Sequence, residues 1–100
     1  MRIVTIGETD YQIRYSGEAL LKIEREIRTP IPSIDVTKLS VDTMGVFFKH
    51  GTGLNKEQYT KLSKDLGAGE FMKICLEALD EFGDEMASLN EMSEDKGKKG

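Results

Sequence analysis

The feature that most constrains the fold is the apolar pattern "EFMKICLEALDEFGDEMASLNEM" at residues 70–92, within a helix predicted over about 69–92. Apolar side chains recur there at helical spacing, and Met72, Leu76 and Leu79 widen the stripe. So wide an arc predicts a helix at the centre of the core. Gly83 costs up to ~1 kcal/mol inside a helix, so a bend or pause is expected at that point. The stripe itself consists of Phe71, Ile74, Cys75, Ala78 and Phe82.

Two short β-branched and aromatic runs open the chain, "RIVTI" at 2–6 and "YQIRY" at 11–15. They are separated by "GETD", which contains the turn residues Gly7 and Asp10, and we therefore predict a hairpin over 2–15 with a four-residue loop. Tyr11, Ile13 and Tyr15 alternate with polar residues, which is typical of a strand with one packed face. A lone hairpin is barely stable in water, so other elements must cover it.

Three further helices are predicted between the hairpin and the long helix, at about 17–28, 41–50 and 55–66. The N-caps are expected to be Ser16 for the first helix and Ser40 or Asp42 for the second. The third has the clearest start signal, because Asn55 and Gln58 form a capping box. A 13-residue connector, "RTPIPSIDVTKLS", separates the first two helices, and its prolines forbid helix there.

Length and composition indicate one small domain. A chain of 100 residues with 38% hydrophobic content has too little material for a second core. We therefore predict a single α+β domain over residues 1–92, in which an N-terminal two-stranded β-hairpin precedes about four α-helices. Residues 93–100, which end in "GKKG", are expected to form a disordered Lys/Gly tail.

The net charge of −4 is concentrated near the C-terminus. Residues 1–76 hold 11 Lys or Arg and 10 Asp or Glu, whereas residues 77–95 hold eight acids and no base. Nucleic acid is therefore not an expected partner, because phosphate binding needs a basic face. A membrane is not expected either, since no apolar run approaches the ~20 residues of a membrane span. A single cysteine excludes an intramolecular disulfide framework.

No catalytic, metal-binding or cofactor-binding constellation is recognisable, and the chain is expected not to be an enzyme. His50 is the only histidine and has no cysteine near it in the sequence, which argues against a transition-metal site. Cys75 lies in an apolar pattern and is expected to be a buried thiol. "GTG" and "GAGE" lack the spacing of a phosphate loop and are interpreted as helix punctuation.

Binding to another protein remains as the expected activity, and the acidic end of the long helix is the candidate site. Methionine is adaptable enough to suit varied partner surfaces. The alternatives are that the apolar residues pack on the core and that the acids form a solvated face. A free edge of the hairpin is a second candidate surface, since it can pair with another copy. The candidate partner-binding residues are Met86, Leu89, Met92, Asp80, Asp84 and Glu85.

The whole arrangement resembles a known family over about residues 3–82. The hairpin leads into an Ala/Leu/Glu-rich helix, "IVTIGETDYQIRYSGEALLKIERE", and an aromatic helix follows, "VDTMGVFFKHGTG". A capped third helix and "FMKICLEALDEF" complete the pattern. In this order of elements the chain resembles the tail assembly chaperones of long-tailed, siphovirus-type phages and prophages.

This resemblance implies a non-enzymatic viral protein of virion morphogenesis. Such a chaperone binds and solubilises the tape measure protein and helps to recruit tail tube subunits. It acts in the cytoplasm of the bacterial host, self-associates and is absent from the mature virion. Many family members also have a longer form made by programmed −1 frameshifting, and "GKKG" can be encoded by a slippery G/A tract.

The rival hypothesis is a small acidic adaptor or regulatory protein that binds a host protein. Its acidic helix would then mimic a nucleic acid through Asp80, Glu81, Asp84 and Glu85. The neighbouring genes distinguish the two hypotheses, because a chaperone gene is expected between the tail tube and tape measure genes.

Overall fold

In the computed structural model, which describes the backbone of residues 1–99 and the side chains of residues 1–88, a two-stranded antiparallel hairpin precedes four α-helices. This is the α+β arrangement predicted from the sequence. The elements are β1 (Arg2–Ile6), β2 (Thr9–Ile13), α1 (Gly17–Ile27), α2 (Val41–Thr52), α3 (Lys56–Asp65) and α4 (Ala68–Lys99).

The hairpin turn is shorter than predicted. Ile6 pairs with Thr9 and Thr5 with Asp10, so only Gly7 and Glu8 form the loop. Gly7 has a φ of 63° and no other turn residue has a positive φ, which matches a type II′ turn, whose twist suits an antiparallel pair. The prediction of a four-residue loop was wrong because Asp10, interpreted as a turn residue, belongs to β2. Its carboxylate accepts a 2.6 Å hydrogen bond from the Thr5 hydroxyl across the strands.

The three predicted helix starts agree with the structure. The side chains of Ser16 and Ser40 accept hydrogen bonds from backbone amides of α1 and α2, so Ser40 rather than Asp42 is the cap. In the capping box of α3, Asn55 Oδ1 lies 2.8 Å from the Gln58 amide, and Gln58 Oε1 lies 3.0 Å from the Asn55 amide. The local chemistry of the side chains therefore defined where these helices begin.

The long connector between α1 and α2 is folded onto the body. α1 ends at Arg28, which adopts a left-handed conformation with a φ of 57° and donates its amide to the Glu24 carbonyl. Two 3₁₀ turns follow, Ile31–Ser33 and Val36–Lys38. Three apolar side chains along the connector pack against the core, and they are Ile31, Ile34 and Leu39.

The centre of the core is α2 rather than α4. α2 packs against α4, α1 and β2, whereas the inner face of β1 covers α4. Six of its twelve residues are buried, including the fully buried Phe47 and Phe48. The sequence favoured α4 because its apolar stripe is longer. Two glycines let neighbouring side chains approach the α2 backbone closely: Gly45 faces Tyr59, and Gly51 faces Ile13 and Tyr15.

Three aromatic rings join the hairpin, α2 and α4. The Phe47 and Phe82 rings meet edge to face at 4.9 Å between centroids, and Tyr15 meets Phe82 at 5.6 Å. The Tyr15 hydroxyl lies 3.0 Å from the carbonyl oxygens of both Phe47 and Ala78, so its single proton is shared between backbone acceptors on two helices. The amide of Arg14 donates to the Gly51 carbonyl at 2.9 Å and ties the end of the hairpin to α2.

α4 is continuous through Gly83 and shows no pause there. Its helical backbone extends to Lys99, beyond the predicted end at residue 92. The expected disorder of 93–100 stays a prediction, and Gly100 lies outside the described residues. A helix of this length spans about 48 Å at ~1.5 Å per residue. Phe82 is the last fully packed apolar residue that is described, Met86 is partly buried, and Ala87 and Ser88 are exposed.

We expect Gly51→Ala to lower the free energy of unfolding by about 1–3 kcal/mol, as overpacked cores do. The added Cβ would lie 3.0 Å from Ile13 Cγ2 and from Tyr15 Oη, which belong to side chains that are 0% and 7% exposed. The control is Gly83→Ala, whose Cβ would meet no atom within 4 Å. That variant should gain up to ~1 kcal/mol from helix propensity. Urea unfolding followed by circular dichroism measures both, and equal effects would contradict this account of Gly51.

Candidate partner-binding surface

The acidic residues predicted to bind a partner differ in how far they are exposed on α4. The side chains of Asp80 and Asp84 are 67% and 71% exposed. Glu85 and Met86 are partly buried, and Met86 packs against the margin of the core. The side chains of Leu89 and Met92 lie outside the described residues, so their part in a surface stays a prediction. The structure thus brings Asp80 and Asp84 together, one helical turn apart.

A single arginine from the hairpin lies among the acids of α4. The Arg2 guanidinium is 2.8 Å from Glu77 Oε2 and 3.1 Å from Asp84 Oδ2. It also approaches Asp80 at 3.6 Å and Glu81 at 3.8 Å. The hydrogen bond to Glu77 raises the pKa of the guanidinium further above its ordinary value. We call Arg2, Glu77, Asp80, Glu81 and Asp84 the Arg2 cluster.

Two acids of α4 are structural rather than free. Glu81 is 4% exposed, and its carboxylate also lies 2.8 Å from the amino group of Met1. A buried carboxylate is expensive unless it is paired, so these cations stabilise its burial. Glu85 accepts a 3.1 Å hydrogen bond from the backbone amide of Tyr15. The acidic segment therefore anchors the hairpin, and Asp80 and Asp84 take part in that anchoring through Arg2 while most of each side chain stays exposed.

Sequence reasoning missed Arg2 as part of this surface, although a signal was present. Strand alternation places Arg2 on the same face as Val4 and Ile6, which packs inward. An arginine on a packing face requires an anionic partner inside the protein. The eight-acid segment was the obvious supplier of such partners.

A second ion-pair group connects α1 to α2. Both carboxylate oxygens of Glu26 lie 2.9 Å from Lys49 Nζ, and one lies 2.8 Å from His50 Nε2. Partial burial raises the pKa of Glu26, but the hydrogen bonds from Lys49 and His50 outweigh it and the net pKa is lowered. His50 therefore has a structural partner at the end of α2, as expected of a helix-end histidine.

The third helix has the weakest attachment of the described elements. Every residue of α3 is at least partly exposed, and its outer face carries Lys56, Lys61 and Lys64. A cleft of about 440 Å³ separates it from the hairpin. A second cleft, of about 460 Å³, lies where its N-terminus meets α1 and α2. Tyr59 is its main inward side chain. The centroid of its ring lies 6.2 Å from that of Phe71 and 5.9 Å from Lys49 Nζ, which is positioned over the ring.

Burial changes the pKa of two titratable side chains, Cys75 in the core and Tyr59 at its margin. Cys75 is fully buried, and desolvation raises the pKa of its thiol to about 11. Burial likewise raises the pKa of the Tyr59 hydroxyl to about 12. Within the described part of the chain, no three His, Cys, Asp or Glu residues are grouped to hold a metal ion. Over the same residues, no helix has both the length and the hydropathy to cross a membrane.

Comparison of the chain with protein-family models, with curated proteins and with solved structures found no match.

The Arg2 cluster generates a stability prediction. We expect Arg2→Met to lower the free energy of unfolding by about 1–2 kcal/mol at low salt, because four carboxylates lose their shared cation. Part of the difference should disappear at ~1 M salt, where screening shortens the Debye length to about 3 Å. Lys22→Met is the matched control, because among the described side chains Lys22 pairs only with the exposed Glu18, at 3.2 Å. It should cost under ~0.5 kcal/mol.

The buried thiol predicts a loss of stability in alkali. The unfolded chain ionises Cys75 near its ordinary pKa of 9.0, whereas the folded chain holds the proton to about 11. The folded state therefore binds more protons between these values, and stability falls as the pH rises through this window, by up to about 3 kcal/mol. Cys75→Ala lacks this component. Urea midpoints at pH 8, 9, 10 and 11 should thus converge for the two proteins, and parallel curves would contradict the prediction.

Proposed function

We propose that this chain is a non-enzymatic tail assembly chaperone of a long-tailed phage or prophage. In this role it binds and solubilises the tape measure protein in the cytoplasm of the bacterial host. It then helps to recruit tail tube subunits and is left out of the mature virion. The order of elements supports the proposal, since a hairpin followed by four helices is the arrangement that the resemblance implies.

The single observation that carries the proposal is the way α4 leaves the body. Among the described side chains of α4, Phe82 is the last buried one and Met86 packs at the margin of the core, yet the helix continues to Lys99. Its exposed side carries Asp80 and Asp84 next to that exit. Met86 at the margin of the core is the first of three apolar positions in the sequence, with Leu89 and Met92 after it. A long acidic helix with methionines is thereby offered to a partner.

This arrangement suits a partner that is long, helical and prone to aggregate. Flexible methionine side chains adapt to many apolar surfaces, so one chaperone surface can serve successive segments of a tape measure. Each contact is modest, and many copies bound along one partner supply the avidity. The exposed acids keep the complex negatively charged, which favours solubility.

The Arg2 cluster favours the chaperone over the nucleic-acid mimic. Of the four acids proposed for mimicry, Glu81 is buried and Glu85 accepts a hydrogen bond from the hairpin backbone. Asp80 and Asp84 are exposed but share the Arg2 cation. A mimic needs an uninterrupted row of negative charge, and these pairings interrupt it.

The test is co-expression of the tagged chain with the tape measure protein encoded beside it. Wild type should keep that protein in the soluble fraction and co-purify with it. Met86→Ser combined with Leu89→Ser and Met92→Ser should reduce its recovery at least about tenfold, because each buried apolar side chain contributes ~1.5–3 kcal/mol. Gene order identifies the tape measure protein to express, because the gene for this chain is expected to lie between the tail tube gene and the tape measure gene.

Leu21→Ser combined with Val41→Ser is the matched control. These side chains are 53% and 47% exposed and lie on α1 and α2, so the variant removes surface apolar area without touching α4. It should retain the tape measure protein as wild type does. Light scattering measures the oligomeric state of the free chain, and the pull-down measures binding. The proposal is contradicted if the chain is a strict monomer and also retains no tape measure protein.

A further inference from the structure

α3 differs from every other described element in what holds it to the body. Polar ties fasten the hairpin to α4 through Arg2, α1 to α2 through Glu26, and β2 to α2 through the Arg14 amide. Among the residues with described side chains, no hydrogen bond or ion pair joins 56–65 to another element. What remains is the Lys49 ammonium over the Tyr59 ring and apolar contact, which is made by Leu54, Tyr59, Leu62 and Leu66.

The surface beneath α3 is an apolar groove with a slot for an aromatic ring. Gly45 leaves the slot open, because a Cβ there would overlap the Tyr59 hydroxyl and lie 3.6 Å from the Phe71 ring. The Tyr59 ring enters this slot and stays partly exposed. We call the surface formed by Gly45 and Phe71, with Lys49 at its rim, the Gly45 groove.

The flanking segments allow α3 to move as a unit. Gly53 precedes it with a φ of 78°, and Gly67 follows it in open space. α3 has its own capping box, formed by Asn55 and Gln58, so its N-terminal hydrogen bonds do not depend on the body. Clefts lie along the hairpin side and at the N-terminal end, so few packed contacts oppose its departure.

We infer that α3 is a displaceable lid, and that the Gly45 groove beneath it receives an amphipathic helix from the partner. The present occupant shows what the groove accepts. An incoming helix presents an aromatic ring to Gly45 and two leucines three and seven residues later, the spacing of Tyr59, Leu62 and Leu66. Its outer face is polar, as that of α3 is.

The assignment of that helix to a tape measure protein rests on the proposed function, whereas the lid and the groove are tested without it.

Opening the lid has a thermodynamic cost that the partner must meet. The apparent affinity of the groove equals its intrinsic affinity multiplied by the fraction of molecules with α3 displaced. The tethered α3 competes at an effective concentration in the millimolar range.

The first experiment is native-state hydrogen exchange on the wild-type chain. Amides of α3 should exchange by local opening, at least about a hundredfold faster than amides of Ile74–Phe82 in α4, which open only on global unfolding. In mild denaturant the free energy of opening α3 should stay nearly constant, whereas the free energy of global unfolding should fall. If α3 and α4 exchange at one common rate, α3 is part of the core unit and the inference is overturned.

The second experiment measures binding to the groove with a defined probe. The probe is a fluorescent peptide of residues 53–67, bridged between Glu57 and Lys61, which are one turn apart and exposed. Tyr59→Ala combined with Leu62→Ala in the protein should release α3. The peptide should then bind at least about tenfold more tightly than it binds wild type, because the competitor is gone.

Two controls fix the site of binding. Adding Gly45→Leu to the released variant fills the aromatic slot and should abolish binding of the peptide. Lys56→Ala combined with Lys64→Ala changes only the outer face of α3 and should leave peptide affinity at the wild-type value. Equal affinity for wild type and the released variant, or binding that survives Gly45→Leu, overturns the inference. So does dimerisation of wild type with exchanged α3 helices, since the groove then serves a second copy.

Discussion

The fold depends on one buried hydroxyl group. Tyr15 follows the second strand, and its hydroxyl lies between carbonyl oxygens of α2 and α4, at 3.0 Å from each. A buried hydroxyl without partners would cost several kcal/mol, so the hairpin has one favourable position over the two helices. Burial also raises the pKa of this group far above its ordinary value, which keeps it a donor. Gly51 makes the approach possible by leaving space for the ring.

The acidic segment of α4 serves two purposes that a charge count does not separate. Toward the body, Glu81 and Glu85 hold the hairpin through Arg2, the Met1 amino group and the Tyr15 amide. Asp80 and Asp84 also pair with Arg2, but most of each side chain remains exposed to solvent. The same helix can thus stabilise a small domain and present a negative surface to a partner. A domain of this length needs such internal anchors because its core is small.

The elements differ in how firmly they are held, and the proposed function uses that difference. The hairpin, α1, α2 and α4 share aromatic packing and polar ties, whereas α3 is held by a few apolar side chains. Elements with few buried contacts open at lower free energy than the core. In the proposed mechanism α4 offers the first contact to a helical partner, and the groove under α3 offers a second.

Local chemistry made much of the fold predictable. The capping residues Ser16 and Asn55 defined helix starts, and the alternation of Tyr11, Ile13 and Tyr15 defined the packed face of the hairpin. These signals act between residues close in the chain. The central position of α2 was not predictable in this way, because it depends on Gly45 and Gly51, whose missing side chains matter only once α3 and β2 lie beside them.

For the candidate surface, the sequence by itself determined the location of the acids and methionines on the last helix, since helical spacing follows directly from residue order. Only the tertiary structure decided which acids are free. Arg2 reaches Asp84 across 82 positions of the chain, and that pairing depends on the hairpin folding back onto α4. It also decided that, among the described side chains, no hydrogen bond or ion pair joins α3 to another element. Such long-range contacts leave no periodic pattern, because they are selected by the packing of whole elements rather than by neighbouring residues.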